Sequence, residues 1–330
     1  MTDSRHKFGK LFTLDVNSYV KASYLNSQVQ DDFTRQTLTC YAGGPEYFII
    51  GPQKNTVMIL IKMGGSIITD KTQPLTPRKQ DIERLAGAIS EMEEPVIVVH
   101  GGGSFGHYWS VRYDMHTEAR DYDTTGVATV KNSMVRLNLI VLEALLKEGN
   151  KPYVVSPSGF MAGPNPIESR VEELARIAGS GMIPVTYGDA LWYGGEEDKG
   201  ARTYILSGDK IMTHLAGILR PRLCIFALSE DGLYRDMKSR TLVDVVSTRA
   251  DTPPVALQAE STTQDPFCGP DGRMDVTGGM ARKVGEATAI SCMGIDVAFV
   301  NGRYTERLLG AASGEAFLGT LFEGVGLKEK

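Results

Sequence analysis

Two apolar runs that each stop at a glycine cluster constrain this chain most. Val57-Met58-Ile59-Leu60-Ile61-Lys62-Met63 leads straight into Gly64-Gly65-Ser66. Residues 95–100 lead straight into Gly101-Gly102-Gly103-Ser104-Phe105-Gly106-His107. Each reads as a buried strand ending in a glycine turn, the usual opening of an α/β unit. Glycine lets the backbone turn with positive φ and approach a ligand closely. The loop N–H groups, with the positive end of the next helix, make a seat for an anion. Ligands of open α/β sheets lie at the carboxyl ends of the strands. The two loops are therefore expected to meet in one crevice, where Lys62 and Lys71 would neutralise charge. A third cluster, Asp275-Val276-Thr277-Gly278-Gly279-Met280 with Lys283 behind it, opens a helix.

From Met58 onward strand and helix patterns alternate. Helices are predicted at 78–91, 129–148, 168–178, 207–219, 280–293 and 303–309. Strands are predicted at 95–100, 152–155, 182–186, 223–228 and 295–300, with a hairpin inside 188–205. This alternation implies an α/β fold, a mostly parallel sheet covered on both faces. Residues 248–275, rich in Pro, Thr, Asp and Gly, read as a loop insertion. Residues 1–56 lack a helical stripe and read as an N-terminal extension, with one short strand at 47–50. Met58 is an alternative start, and a lid or oligomer arm is the other reading of the extension.

Composition narrows the function classes. A chain of 330 residues suits one large α/β domain or two modest ones. The net charge of −5 supplies no basic field for nucleic acid or an anionic membrane. The four cysteines, Cys40, Cys224, Cys268 and Cys292, show no zinc-ligand spacing. Cys224 and Cys292 sit in apolar stretches and are predicted to be buried thiols. A reducing, cytoplasmic compartment is the expectation. No apolar run approaches the roughly 20 residues of a membrane span, and the N-terminus lacks a signal-peptide core.

Gly101, Gly103 and Gly106 also fit the G-x-G-x-x-G of dinucleotide-binding folds, with Glu118 and Asp121 near the distance of a ribose-binding carboxylate. That carboxylate should end a second strand, and residues 112–126 carry no strand-like run. The fingerprint also leaves the other two glycine clusters unexplained. No G-x-x-x-x-G-K-[ST] loop is present, which excludes a P-loop kinase. His100 ends a buried strand and reads as a core histidine. His107 lies about one turn into the helix opened by the glycine loop, within reach of an anion held there.

Taken together, Lys62-x-Gly-Gly-Ser, the triple-glycine loop ending in Phe105-Gly106-His107, Ser207-Gly208-Asp209, and Asp275-Val-Thr-Gly-Gly-Met with Lys283 resemble the isopentenyl phosphate kinases. These are a family of the amino acid kinase superfamily typical of archaea. The resemblance covers roughly residues 57–324 in order and spacing. It implies a three-layer αβα sandwich, with an acceptor lobe at about 57–205 and a nucleotide lobe at about 206–330. It implies transfer of the ATP γ-phosphoryl group to isopentenyl phosphate.

Carried over by motif, Lys62, Gly64, Gly65 and Ser66 face the ATP phosphates. Gly102, His107 and Gly208 hold the acceptor phosphate, and Gly103 faces the nucleotide side. Lys71 stabilises the transition state, and Asp209 orients the lysines. Ser229, Gly279 and Lys283 belong to the nucleotide site. The chain departs from the family at Lys210, where a second Asp is frequent, and at Ser229, where an acid is frequent.

Phosphoryl transfer through a loose transition state needs alignment and charge neutralisation rather than a covalent nucleophile. A phosphomonoester acceptor is already ionised, so no strong general base is required. Mg²⁺ is expected to bridge the donor phosphates; no residue set is read as a protein metal site. An isoprenoid tail needs an apolar slot, for which Tyr108, Trp109, Val111, Tyr113, Met115, Phe160 and Met161 are candidates. Superfamily members often pair subunits, which makes a homodimer the expectation. The rival readings are a same-fold kinase for another small acid such as fosfomycin, a nicotinamide-binding oxidoreductase, and a non-catalytic nucleotide sensor.

Overall fold

A computed structural model of the chain describes residues 56–194, 202–236, 239–247 and 279–325. The expectations at 47–50, Cys40, Cys268, 248–275 and Asp275–Gly278 lie outside the described residues.

The chain runs from β1 (Thr56–Met63) through α1 (Gly65–Ile68) and α2 (Lys79–Ser90) to β2 (Val96–His100), then α3 (Gly103–Arg112) and α4 (Thr124–Lys147). It continues through β3 (Pro152–Val154), α5 (Glu168–Gly179), β4 (Ile183–Tyr187), the hairpin β5 (Asp189–Tyr193) and β6 (Arg202–Leu206), and α6 (Gly208–Leu219). The last third holds β7 (Pro221–Leu228), β8 (Val245–Ser247), α7 (Gly279–Cys292), β9 (Asp296–Asn301), α8 (Thr305–Ser313) and β10 (Gly319–Glu323). The strands and helices predicted within the described residues are found. α4 starts five residues earlier than expected because Asp123 caps it, accepting from the Thr125 backbone N–H at 2.7 Å.

Eight strands form one sheet in the order β8-β10-β9-β7-β1-β2-β4-β3. β1 is parallel to both β2 and β7, and β9 is antiparallel to β10. The side-chain period of two explains why the central strands read as continuous apolar runs. In β1, Ile59, Ile61 and Met63 enter one apolar core, while Met58 and Leu60 enter the other. In β7, Leu223, Ile225 and Ala227 face the first core, and Cys224, Phe226 and Leu228 the second. The first core is closed by residues of α2, α4 and α8, the second by α5, α6 and α7. The result is the expected αβα sandwich, and all described residues fall in one compact unit.

Two expectations need correction. Cys224 is buried, but Cys292 is exposed, because it sits on the outward side at the end of α7. Phe160 and Met161, named as slot candidates, are buried in the second core.

Candidate active site

The parity of β1 sets the site. Lys62 shares the face of Met58 and Leu60, so it points toward α6 rather than into the first core. There its Nζ lies 2.9 Å from Oδ1 of Asp209. Ser207 caps α6, accepting from the Lys210 N–H at 3.1 Å, which fixes Asp209 in the first turn. Lys283, from α7, approaches the other oxygen at 3.7 Å and donates to the Gly279 carbonyl at 3.2 Å. The Lys62 contact joins two buried, oppositely charged groups. Burial pushes the Lys62 ammonium below its ordinary pKa, with Asp209 opposing that shift. Burial would raise Asp209, but the charges of Lys62, Lys283 and Arg282 hold it down at about 2.

The two glycine loops touch backbone to backbone. β1 and β2 are in register, Met63 opposite His100, so their turns leave the sheet side by side. A Cβ on Gly65 would lie 2.4 Å from the Gly103 nitrogen, and one on Gly101 would lie 2.8 Å from the Gly65 nitrogen. Gly103 has φ +48°, and a Cβ there would meet Thr69 Oγ1 at 2.0 Å. Thr69 ties the loops together: its hydroxyl donates to the Gly65 carbonyl at 2.7 Å and accepts from the Ser104 N–H at 2.8 Å. On the other flank, the Gly64 N–H donates to the Ala227 carbonyl at 2.9 Å. Ser229, just beyond β7, donates to the Ser66 hydroxyl at 3.1 Å.

These elements line a crevice that opens to solvent. Of the sequence-predicted site residues, Lys62, Gly65, Ser66, Lys71, Gly102, Gly103, His107, Gly208, Asp209 and Lys283 line it. Gly64, Ser229 and Gly279 support it from behind through the contacts just given. Lys71 and His107 also face an adjoining recess with Thr72 and Tyr108. His100 is a buried core group. Its ring stacks on Tyr187 at 5.2 Å, its nitrogens lie 3.2 Å from the Gly101 carbonyl and from Asn138, and burial lowers its pKa to about 4.

Several lining residues were not anticipated. Asp189 is buried and paired with Lys131 Nζ at 2.6 Å; burial raises its pKa against the pull of that lysine. The Gly188–Asp189 step after an apolar strand was the available signal. Arg282 was overlooked beside Lys283. The apolar end of the crevice is formed by Met115, Val130, Met134 and Ile205. Of the expected slot candidates only Met115 lines it; Trp109 and Tyr113 pack against the first core instead. Among the described residues no three His, Cys, Asp or Glu side chains gather as a metal site requires. Both crevice carboxylates are engaged by lysines.

The dinucleotide reading fails locally. Glu118 is exposed and receives the Arg120 guanidinium, and no main-sheet strand ends there.

A parallel sheet with a paired glycine cradle, converging lysines and a capped helix at its carboxyl edge defines a phosphoryl-transfer enzyme of α/β architecture. The chain belongs to the amino acid kinase family, whose model matches residues 57–301. Within it, the chain is 31% identical over 267 residues to the isopentenyl phosphate kinase of Thermoplasma acidophilum, covering 80% of this chain and 99% of that protein. It is 30% identical to the isopentenyl phosphate kinase of Methanothermobacter thermautotrophicus, covering 81% and 99%. The solved product complex of the T. acidophilum enzyme superposes with a TM-score of 0.62 at 28% identity, covering 81% of this chain and all of that one.

Proposed function

We propose that this chain phosphorylates isopentenyl phosphate with ATP, giving isopentenyl diphosphate and ADP. The observation that carries the reading is one crevice with a cationic floor and an apolar end. Lys62, Lys71 and Lys283 supply positive charge, and Met115, Val130, Met134 and Ile205 supply a slot for a short hydrocarbon. A small polar acid would leave that apolar surface unmatched, which disfavours a fosfomycin-type acceptor. The named relatives agree with this acceptor.

In this reading the acceptor sits on the 57–205 part, with its phosphate on the Gly102 backbone, His107 and the N-terminus of α6 at Gly208. The nucleotide sits on the 206–330 part. Its phosphates contact Lys62, Gly64, Gly65, Ser66, Gly103 and Lys283, with Ser229 and Gly279 shaping their seat. Lys71 stabilises the charge that spreads over the equatorial oxygens. Asp209 holds Lys62 and Lys283 in position. Mg²⁺ brought with ATP would supply further charge neutralisation at the donor phosphates.

The reading extends to a cytoplasmic homodimer. Val135, Leu139 and Leu146 on α4, with Tyr153 and Val154 on the edge strand β3, are exposed and apolar, and a second subunit would cover them. The deciding experiment is ADP release with Mg-ATP and a panel of isopentenyl phosphate, dimethylallyl phosphate, fosfomycin, acetylglutamate and UMP. Preference for isopentenyl phosphate is expected; turnover only on another acceptor would discard the substrate and keep the kinase.

A further inference from the structure

Arg282, on the first turn of α7, lines the crevice beside Lys283 and Asp209. Its Nε and Nη2 are both buried, and neither makes a hydrogen bond among the described residues. These two nitrogens carry the N–H groups of one guanidinium edge, the edge that grips two oxygens of a phosphate side-on. Burying that edge without a partner is costly. Asp209 does not relieve it, because its oxygens face Lys62 and Lys283. Three cations therefore surround one carboxylate, and the excess positive charge matches a dianionic phosphoryl group. Lys71 and His107 line the same crevice and also face the recess beside Gly103 and Tyr108.

We propose that Arg282 binds the terminal phosphoryl group of the nucleotide donor through Nε–H and Nη2–H. The assignment rests on the kinase reading given above and adds a residue to it. In the transfer, an acceptor phosphate oxygen forms a new bond to the γ-phosphorus while the bond to the β,γ-bridging oxygen breaks. ADP leaves with that electron pair, and Arg282 keeps its protons throughout. Lys283, one residue on, holds Asp209 and with it Lys62. Arg282 thus adds a side-on grip on the donor to the contact that Lys283 makes in the kinase reading.

The test is calorimetric binding of ATP and of ADP to the full chain without acceptor, for wild type, Arg282→Gln and Arg282→Lys. Loss of a charge-assisted bidentate contact weakens ATP binding roughly tenfold to a hundredfold. ADP, which lacks the terminal group, should bind both variants within about threefold of wild type. Equal losses for ATP and ADP, or no loss, would overturn the proposal. So would a variant whose ATP affinity is intact but whose acceptor KM rises, since that places the guanidinium on the other phosphate. If Arg282→Gln melts far below wild type, Arg282→Lys decides, because it keeps the charge and stem but not the fork. Should wild type bind ATP yet ignore isopentenyl phosphate, the acceptor reading falls while the ATP–ADP comparison still decides Arg282.

Discussion

Lys62 Nζ and Asp209 Oδ1 sit 2.9 Å apart with side chains only 4% and 6% exposed, joining a central strand to the first turn of a helix. Breaking such a pair strands the remaining charge in the interior, at about 3–5 kcal/mol. Asp209→Asn is expected to lower unfolding free energy by about 3 kcal/mol and kcat by at least about a hundredfold. The double variant Lys62→Met with Asp209→Leu should regain much of the stability and none of the activity. Denaturant melts and ADP release check both halves, and an active double variant would remove the pair from the mechanism.

Gly103 combines φ +48° with no room for a Cβ, since Thr69 Oγ1 and the Gly65 carbonyl occupy that space. Gly103→Ala should destabilise by about 2–4 kcal/mol or abolish folding. Thr69→Ala should not rescue it, because the backbone clash remains. Gly159→Ala, where nothing lies within 4 Å, serves as the control and should leave the melting temperature unchanged.

His107 lines the crevice from α3 without contributing to either core cluster. His107→Ala is expected to reduce kcat/KM at least about a hundredfold with an unaltered melt. Wild-type turnover would dissociate it from the acceptor phosphate.

Ile205 is only partly buried and forms part of the apolar end. Ile205→Phe should raise KM for isopentenyl phosphate about tenfold, the scale of one or two methylenes of fit. KM for ATP should stay put. Ile205→Ala should let longer prenyl phosphates compete, and an unchanged acceptor profile in both variants would move the slot elsewhere.

Burial holds His100 at about 4, below the ordinary histidine value of 6.5. The unfolded chain then binds a proton that the folded one refuses, so stability falls as pH drops from about 6.5 toward 4 and levels off below. The loss is on the order of 3 kcal/mol for this group. His214 shifts the same way, through burial and then Lys210, and shares the window. Denaturant titrations at pH 7, 5.5 and 4 should show a slope that His100→Gln reduces. An identical slope in that variant would assign the acid sensitivity to other groups.

Much of this was legible in the sequence because it depends on local pattern. The runs 57–63 and 95–100 are uniformly apolar because parallel strands are covered on both faces, and the glycines follow because two backbones must touch. The slot was misjudged for the opposite reason. Trp109 and Tyr113 follow His107 in the chain, but helical rotation turns them into the first core. Met134 and Ile205 arrive from distant elements, and no spacing rule connects them. Cys292 was misjudged because an apolar neighbourhood in sequence does not say which side of a helix a residue takes. Arg282 sat beside a motif lysine, and only its unpaired donors set it apart.

β1 is hydrogen-bonded to β2 on one side and to β7 on the other, so helix α3, which bears His107, and the turn bearing Ser229 follow the two strands that flank β1. A ladder of this kind does not fold like a book. The turns after β2 and β7 are therefore placed relative to each other by the sheet itself, once, at folding. Evolution of a new acceptor in such a molecule would proceed by repainting the walls, one side chain at a time, while the floor plan stays fixed.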